Sequence, residues 1–269
     1  MWLGVEHRTV FAYDEPIAEA YTELRLRPSD DGGQRCSSFL LVAEPPEINV
    51  QQYTDPFGNT VHNFDVLEPH DRLTLVATSG VYAPEGFIDT PGALTALERH
   101  DYLSPTPYTP SLAGRMSEFD GMNGGSQDTA ARARSLMGAI SSRLVYERGV
   151  TDVQTTADEV IALGRGVCQD FAHVMIAACR TGGIPARYVS GYLYDGEAQA
   201  GHAASHAWVD IFSDDRGWLS FDPTHDREQN DHYVRVAVGR DYSDVPPTRG
   251  VYRGSAAEEL AVNVRVWAL

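Results

Sequence analysis

The chain is short of cysteine, of basic charge and of long apolar runs, and each shortage removes a class of protein. Its 269 residues hold three cysteines, Cys36, Cys168 and Cys179. An odd, sparse set is no disulfide framework and points to a reducing compartment. Lys and Arg total 21 against 38 Asp and Glu, a formal charge of −17. Nucleic-acid backbones and anionic membranes need a basic footprint, so neither is expected as a partner, while neutral or cationic substrates suit the charge. No stretch approaches the roughly 18 apolar residues of a membrane span. Met1 to Arg8 lacks the basic segment and apolar run of a secretion signal, and a cytoplasmic location is expected. Repeats, low-complexity tracts, HExxH, CxxC and EF-hand-like loops are all missing.

What is present, with 42% hydrophobic residues, suffices for one large domain or two modest ones. Up to about residue 85 the pattern is strand-like. Ala20 to Leu26 and Arg72 to Ala77 alternate apolar and polar residues, and Ser29 to Gly33, Glu44-Pro45-Pro46 and Asp55 to Asn59 are turn chemistry. An antiparallel β-sandwich is the natural closure. Helical signals follow at Ala93 to His100, at Asp128 to Leu144 after the break at Gly124-Gly125-Ser126, in a short helix capped at Thr155 or Thr156, and at Cys168 to Gly182. Strands are expected at 186–194, 205–212, 218–221, 233–238 and 260–267. The expected fold is therefore α+β, with an N-terminal β-rich domain over 1–90 and a second domain over 91–269.

Three motifs in the second part supply what thiol chemistry needs. A cysteine is mostly protonated at neutral pH, so a nucleophilic thiol requires a neighbour that lowers its pKa. Gly164-Arg165-Gly166 leads into Cys168. Phe171, Ala172, Met175, Ile176 and Cys179 then recur at helical spacing, so Cys168 opens a helix whose N-terminal N–H groups favour a thiolate. Cys179 lies about 16 Å further along that helix and is a packing residue, as is Cys36 in its predicted strand. His173, five residues on, is rotated about 140° away from Cys168 and reads as structural. His206 in Ser205-His206-Ala207-Trp208 is the better base.

The segments 205–212 and 218–222 alternate around the turn Ser213-Asp214-Asp215-Arg216-Gly217. A hairpin centred on Asp214 pairs 212 with 216, 210 with 218, 208 with 220 and 206 with 222, setting His206 directly across from Asp222 with Cβ atoms about 5 Å apart. Trp208 and Trp218 share that face, as groove lining or as packing. His202, His206 and His225 offer a rival reading as metal ligands. Strand residues four apart stand about 13 Å apart, too far for His202 and His206 to share an ion, so no metal is expected.

The runs Gly166 to Tyr194 (GVCQDFAHVMIAACRTGGIPARYVSGYLY), Ser205 to Phe212 (SHAWVDIF) and Phe221 to His225 (FDPTH) resemble the bacterial transglutaminase-like cysteine peptidase family, as do Tyr233 to Val245 and Arg249 to Tyr252. The N-terminal part is similar to the β-rich domain preceding the transglutaminase core in these proteins. The resemblance implies a papain-like α+β core, with Cys168 as nucleophile, His206 as base and Asp222 as its orienting group. It departs in the second oxyanion donor, since Ala162 stands where the family places Gln; Gln169, Trp208 and Tyr146 are the alternatives. Animal members use calcium, but no calcium loop or other cofactor is expected here. The implied activity is acyl transfer through a thioester on a peptide or amide substrate, with hydrolysis first and glutamine–lysine transamidation second. A non-catalytic binding module is the reading from another class. The N-terminal β domain is expected to recognise substrate or to form a homo-oligomer.

Overall fold

The computed structural model describes residues 1–45, 49–86, 92–119, 128–196 and 205–269. The expected break at Gly124 to Ser126 and the ligand alternative His202 lie outside them. In chain order the elements are β1 (Trp2–Ile17), β2 (Glu19–Leu24), β3 (Arg35–Glu44), β4 (Gln51–Thr54), β5 (Thr60–Val66), β6 (His70–Tyr82), α1 (Ala96–Leu103), α2 (Thr129–Arg143), β7 (Val145–Tyr146), α3 (Ala157–Leu163), β8 (Arg165–Gly166) and α4 (Cys168–Thr181). They continue with β9 (Ala186–Leu193), β10 (Ser205–Ser213), β11 (Gly217–Asp222), β12 (Arg227–Glu228), β13 (Tyr233–Gly239), β14 (Thr248–Arg253) and β15 (Glu258–Ala268).

Side-chain caps set the helix starts. Asp128 accepts from Ala130 N at the head of α2, and Thr156 forms a capping box with Glu159 at α3. Helix α1 begins three residues later than the apolar pattern suggests, because Thr95 and Glu98 form its capping box.

The expected α+β fold is present. Sheets β15-β1-β6-β3 and β14-β2-β5-β4 form the β-rich part, and the antiparallel sheet β12-β11-β10-β9-β13 carries α4 and α2 against one face. Phe11, Ile17, Leu24, Leu26, Phe64, Leu73 and Leu75 fill the core between the first two sheets. The division at 90/91 does not follow sheet membership. Strands β14 and β15 leave the second part of the chain and hydrogen-bond to β2 and β1. Val264 and Val266 of β15 thereby join Leu3, Val5, Val81 and the helices in one continuous core.

The β-rich part also closes the edge of the site-bearing sheet. Strand β13 is irregular between Arg235 and Ala237. Gln34 accepts from Arg235 N (2.8 Å) and donates to its carbonyl (2.9 Å), and Asn59 does the same at Val238 (2.7 and 2.8 Å). Two amide side chains stand in for a neighbouring strand, satisfying backbone groups that would be costly to bury unpaired.

The hairpin register differs from expectation. Ser213 pairs with Gly217, Phe212 with Trp218 and Val209 with Phe221, so the loop is Asp214-Asp215-Arg216, centred one residue later. Gly217 has φ +76°, and a three-residue hairpin loop places its left-handed residue there. This shift moves every pair by two positions, so side chains keep their faces, and the register ends at Val209–Phe221 without setting His206 directly across from Asp222.

Candidate active site

Cys168 is positioned by the loop before it. Two-residue strands β7 and β8 pair in parallel, and Glu147 N donates to Gly166 O at 2.9 Å. The same backbone tie repeats one step earlier, with Val145 N donating to Gly164 O at 3.0 Å. At Gly166 only hydrogen fits, because a Cβ there would lie 2.5 Å from Asp170 Oδ2 and 2.7 Å from Asp170 Cβ. Asp170 is fully buried and accepts from Val167 N and Thr151 Oγ1, both at 2.7 Å. Burial pushes its carboxyl above the usual range. Cys168 is thus the half-buried first residue of α4, where helix N–H groups have no intrahelical acceptor.

His206 and Asp222 meet on the sheet face opposite α4's apolar packing. His206 Nε2 lies 2.7 Å from Asp222 Oδ2, a contact made across a diagonal of the hairpin, which a long side chain spans. Cys168 lies near enough for its side chain to act on the same imidazole. Burial pushes the imidazole pKa down, but the hydrogen bonds and charges of Asp222 and Cys168 outweigh it and raise the value to about 10.

Asp222 is the hub of the cluster. Oδ1 accepts from Thr224 N (2.9 Å) and His225 N (3.3 Å). Oδ2 takes His206, His225 Nδ1 (2.8 Å) and the Tyr233 hydroxyl (2.6 Å). Burial opposes its ionisation, yet the donors led by His206 and His225 hold the carboxyl far below its ordinary value. Arg227 Nε donates to the Tyr233 oxygen at 2.8 Å. Beneath these groups, Arg235 and Arg187 bind buried Asp210 at 2.5 and 2.9 Å, and Ser220 donates to it.

The other residues singled out in the sequence separate clearly by position. Helix α4 is buried on all sides from Asp170 to Arg180 rather than along one stripe. His173 lies inside it, accepting from Tyr242 N at 3.2 Å and stacking on Tyr108, with its pKa lowered to about 4 by burial. Cys179 is fully buried and pushed up to about 12 by burial, and burial also raises Cys36. Gln169 turns its amide to Val153 O at 3.3 Å. Trp208 and Trp218 are packing groups. Trp208 is fully buried and stacks on His206, while Trp218 lies under the Arg187 guanidinium at 4.1 Å. Tyr146 is exposed and faces a cleft of about 380 Å³ that it lines with Arg148, Leu193, Ser205, His206, Thr224 and His225. A larger concavity of about 630 Å³ over β14, β2 and β5 is lined by none of Cys168, His206 and Asp222, whereas His206 lines the smaller one.

Sequence reasoning missed Tyr233 and the role of His225. The Asp-Pro turn that brings His225 back onto Asp222 was a usable signal, since an Asp three residues before accepts from turn donors. Nothing local marks Tyr233.

Comparison with known proteins places the chain in a family. Residues 119–223 match the transglutaminase-like superfamily core, and residues 3–82 match the bacterial transglutaminase-like N-terminal region. An uncharacterized protein of Mycobacterium leprae is 34% identical over 285 residues, covering 100% of both chains. The chain belongs to the transglutaminase-like superfamily. Its fold is also that of a solved structure described as a putative cysteine protease from Cytophaga hutchinsonii, with a TM-score of 0.77 at 22% identity over 98% of this chain and 90% of that one. A shorter similarity, 34% over 100 residues, covers 33% of this transglutaminase-like chain and 15% of a protein-glutamine gamma-glutamyltransferase of Pseudomonas aeruginosa. Among the described residues no helix is long and apolar enough to cross a membrane.

Proposed function

We propose that the protein catalyses acyl transfer through a thioester, with Cys168 as nucleophile, His206 as acid–base and Asp222 as its orienting group. The observation that carries this reading is one imidazole bonded to Asp222 through Nε2 at 2.7 Å, with its pKa raised by Asp222 and by the nearby helix-opening Cys168. His206 takes the thiol proton, and the sulfur attacks an amide carbonyl carbon, forming the C–S bond. The imidazolium then protonates the departing nitrogen as the C–N bond breaks. Water, deprotonated by His206, attacks the thioester, releases an acid and returns the thiol.

The oxyanion formed at each attack is held by N–H groups opening α4 and by the Tyr146 hydroxyl. Of the three donor alternatives only Tyr146 lines the cleft, its hydroxyl accepting from Arg148 Nε at 3.5 Å and so keeping its O–H to donate; Gln169 and Trp208 are turned away or buried. Hydrolysis is the preferred outcome because the cleft beside His206 is walled by polar groups such as Arg148, Ser205, Thr224 and His225, which leave water at the thioester. The peptide or amide substrate enters by this cleft.

Mass spectrometry of products formed from a peptide-amide panel with an added primary amine tests the reading. All 21 basic residues other than histidine are arginine, so no lysine of the chain itself competes as acceptor. Acid should dominate; amide dominating at equal acceptor access assigns the protein to amide exchange, the activity named for the Pseudomonas relative. Labelling of Cys168 by iodoacetamide no faster than Cys36 would reject acyl transfer and leave a binding module.

A further inference from the structure

His225 stands on Asp222 as His206 does, and acyl transfer gives it no task. Its Nδ1 and His206 Nε2 approach the same oxygen, Asp222 Oδ2, at 2.8 and 2.7 Å. The three ligand atoms all lie within 4.8 Å of one another. We propose that His206, Asp222 and His225 form a binding site for a divalent cation of zinc-like chemistry, and that occupation of this site blocks acyl transfer.

Two imidazoles and one carboxylate, with a fourth position left to water, are a recurrent donor set for zinc. At present protons do the ion's work, since each ring N–H points at the shared oxygen. Zinc bonds of about 2.0–2.1 Å in tetrahedral array would set these donors about 3.3 Å apart, so each ring nitrogen must draw back from Oδ2 by about half an ångström while the two nitrogens, within 4.8 Å of each other, settle at the same spacing. His225 can do so, because its side chain is 42% exposed and lies in the turn after β11. The carboxylate itself stays oriented by Thr224 N and His225 N on Oδ1 and by Tyr233 on Oδ2, the outer hydrogen bonds that a ligating carboxylate requires. The cleft, lined by both histidines, supplies the entry path. Strand spacing argued against His202 with His206, but His225 reaches the site from a turn and escapes that limit.

Binding displaces the proton on His206 Nε2, and a metal-bound ring keeps only Nδ1–H, a far weaker acid than imidazolium. It can no longer hand a proton to the departing amine. This blocking rests on the proposed function; the binding does not.

Cobalt titration of the full chain, read by visible absorbance and competed with zinc, tests the site without any substrate. One ion per chain is expected. His225→Ala should weaken binding by about tenfold or more, and His225→Asp, which restores a ligand, should recover part of it. Cys168→Ser should still bind. No bound ion, or a folded His225→Ala variant that binds as tightly as wild type, overturns the site. Binding lost in Cys168→Ser but kept in His225→Ala overturns it too, by assigning the ion to the thiol and His206 alone. With binding established, turnover that persists at saturating zinc overturns the block. A chain that binds cobalt as expected but shows no turnover even with chelator refutes the acyl-transfer reading instead.

Discussion

Replacing Asp222 with asparagine tests the centre of the site, because the carboxylate accepts five hydrogen bonds and donates none. A carboxamide must put an NH₂ group where one oxygen was. Turned toward the Oδ1 position, it faces the N–H groups of Thr224 and His225, which have no alternative role. Turned toward Oδ2, it faces His206, His225 and Tyr233. Only the second arrangement can relax, because imidazoles change tautomer. His206 Nε2 then becomes an acceptor, and the ring loses the negative charge that supports its protonated form. Stranding a buried donor costs about 1–3 kcal/mol, so the variant should fold with a lower denaturation midpoint. Catalysis should fall much further, by about 10²- to 10⁴-fold, since the base is held in the wrong tautomer. The assay is the second-order rate of iodoacetamide alkylation at Cys168, with peptide mapping to separate it from Cys36 and Cys179. At pH 6 the wild-type thiol should react far faster than either. A folded Asp222→Asn protein whose Cys168 reacts within about threefold of wild type at that pH would refute the reasoning.

Gly166→Ala should destabilise the protein by about 1–3 kcal/mol through overpacking against Asp170 and cut turnover by about a hundredfold through displacement of Cys168; Gly164→Ala, with open space around it, should cost about 1 kcal/mol of backbone strain and leave turnover nearly unchanged. Tyr146→Phe should lower kcat by about tenfold or more with KM little altered, and an unchanged kcat removes Tyr146 from the oxyanion site. His206 in the folded protein is raised from 6.5 to about 10. Its contribution to stability is therefore full below pH 6.5 and lost as pH rises toward 10. The stability gap between wild type and His206→Gln in urea should narrow across that window, and a constant gap contradicts the shift. Asp222, held low, works in the opposite sense: its contribution is present above pH 3.8 and lost as pH falls below it.

Much of the architecture was legible because its causes are local. Asp128, Thr156 and Gly182 bound their helices by chemistry readable within four residues, and β9, β10, β11 and β13 lie within two residues of their alternating patterns. Errors arose where the cause was remote or turned on one dihedral angle. The hairpin centre depended on Gly217 rather than on the acidic pair before it. The strand β14 carried little alternation of its own and exists because β2 offers an edge. Both faces of the β9–β13 sheet are covered, so burial could not distinguish them from the pattern alone.

The sequence by itself determined the kinds of group at the site and the local conformations that carry them: a cysteine after a glycine-flanked turn opening an apolar helix, a histidine on a strand, and an aspartate at an Asp-Pro turn. Only tertiary structure decided their partners. Parallel pairing of two-residue strands brings Tyr146 beside the loop before Cys168, a diagonal across the hairpin joins His206 to Asp222, and a strand capped by Gln34 and Asn59 presents Tyr233. The physical reason is that caps, turns and periodicity act over a few residues. A hydrogen bond between groups distant in sequence exists only after the layers have packed and fixed which side chains share a face.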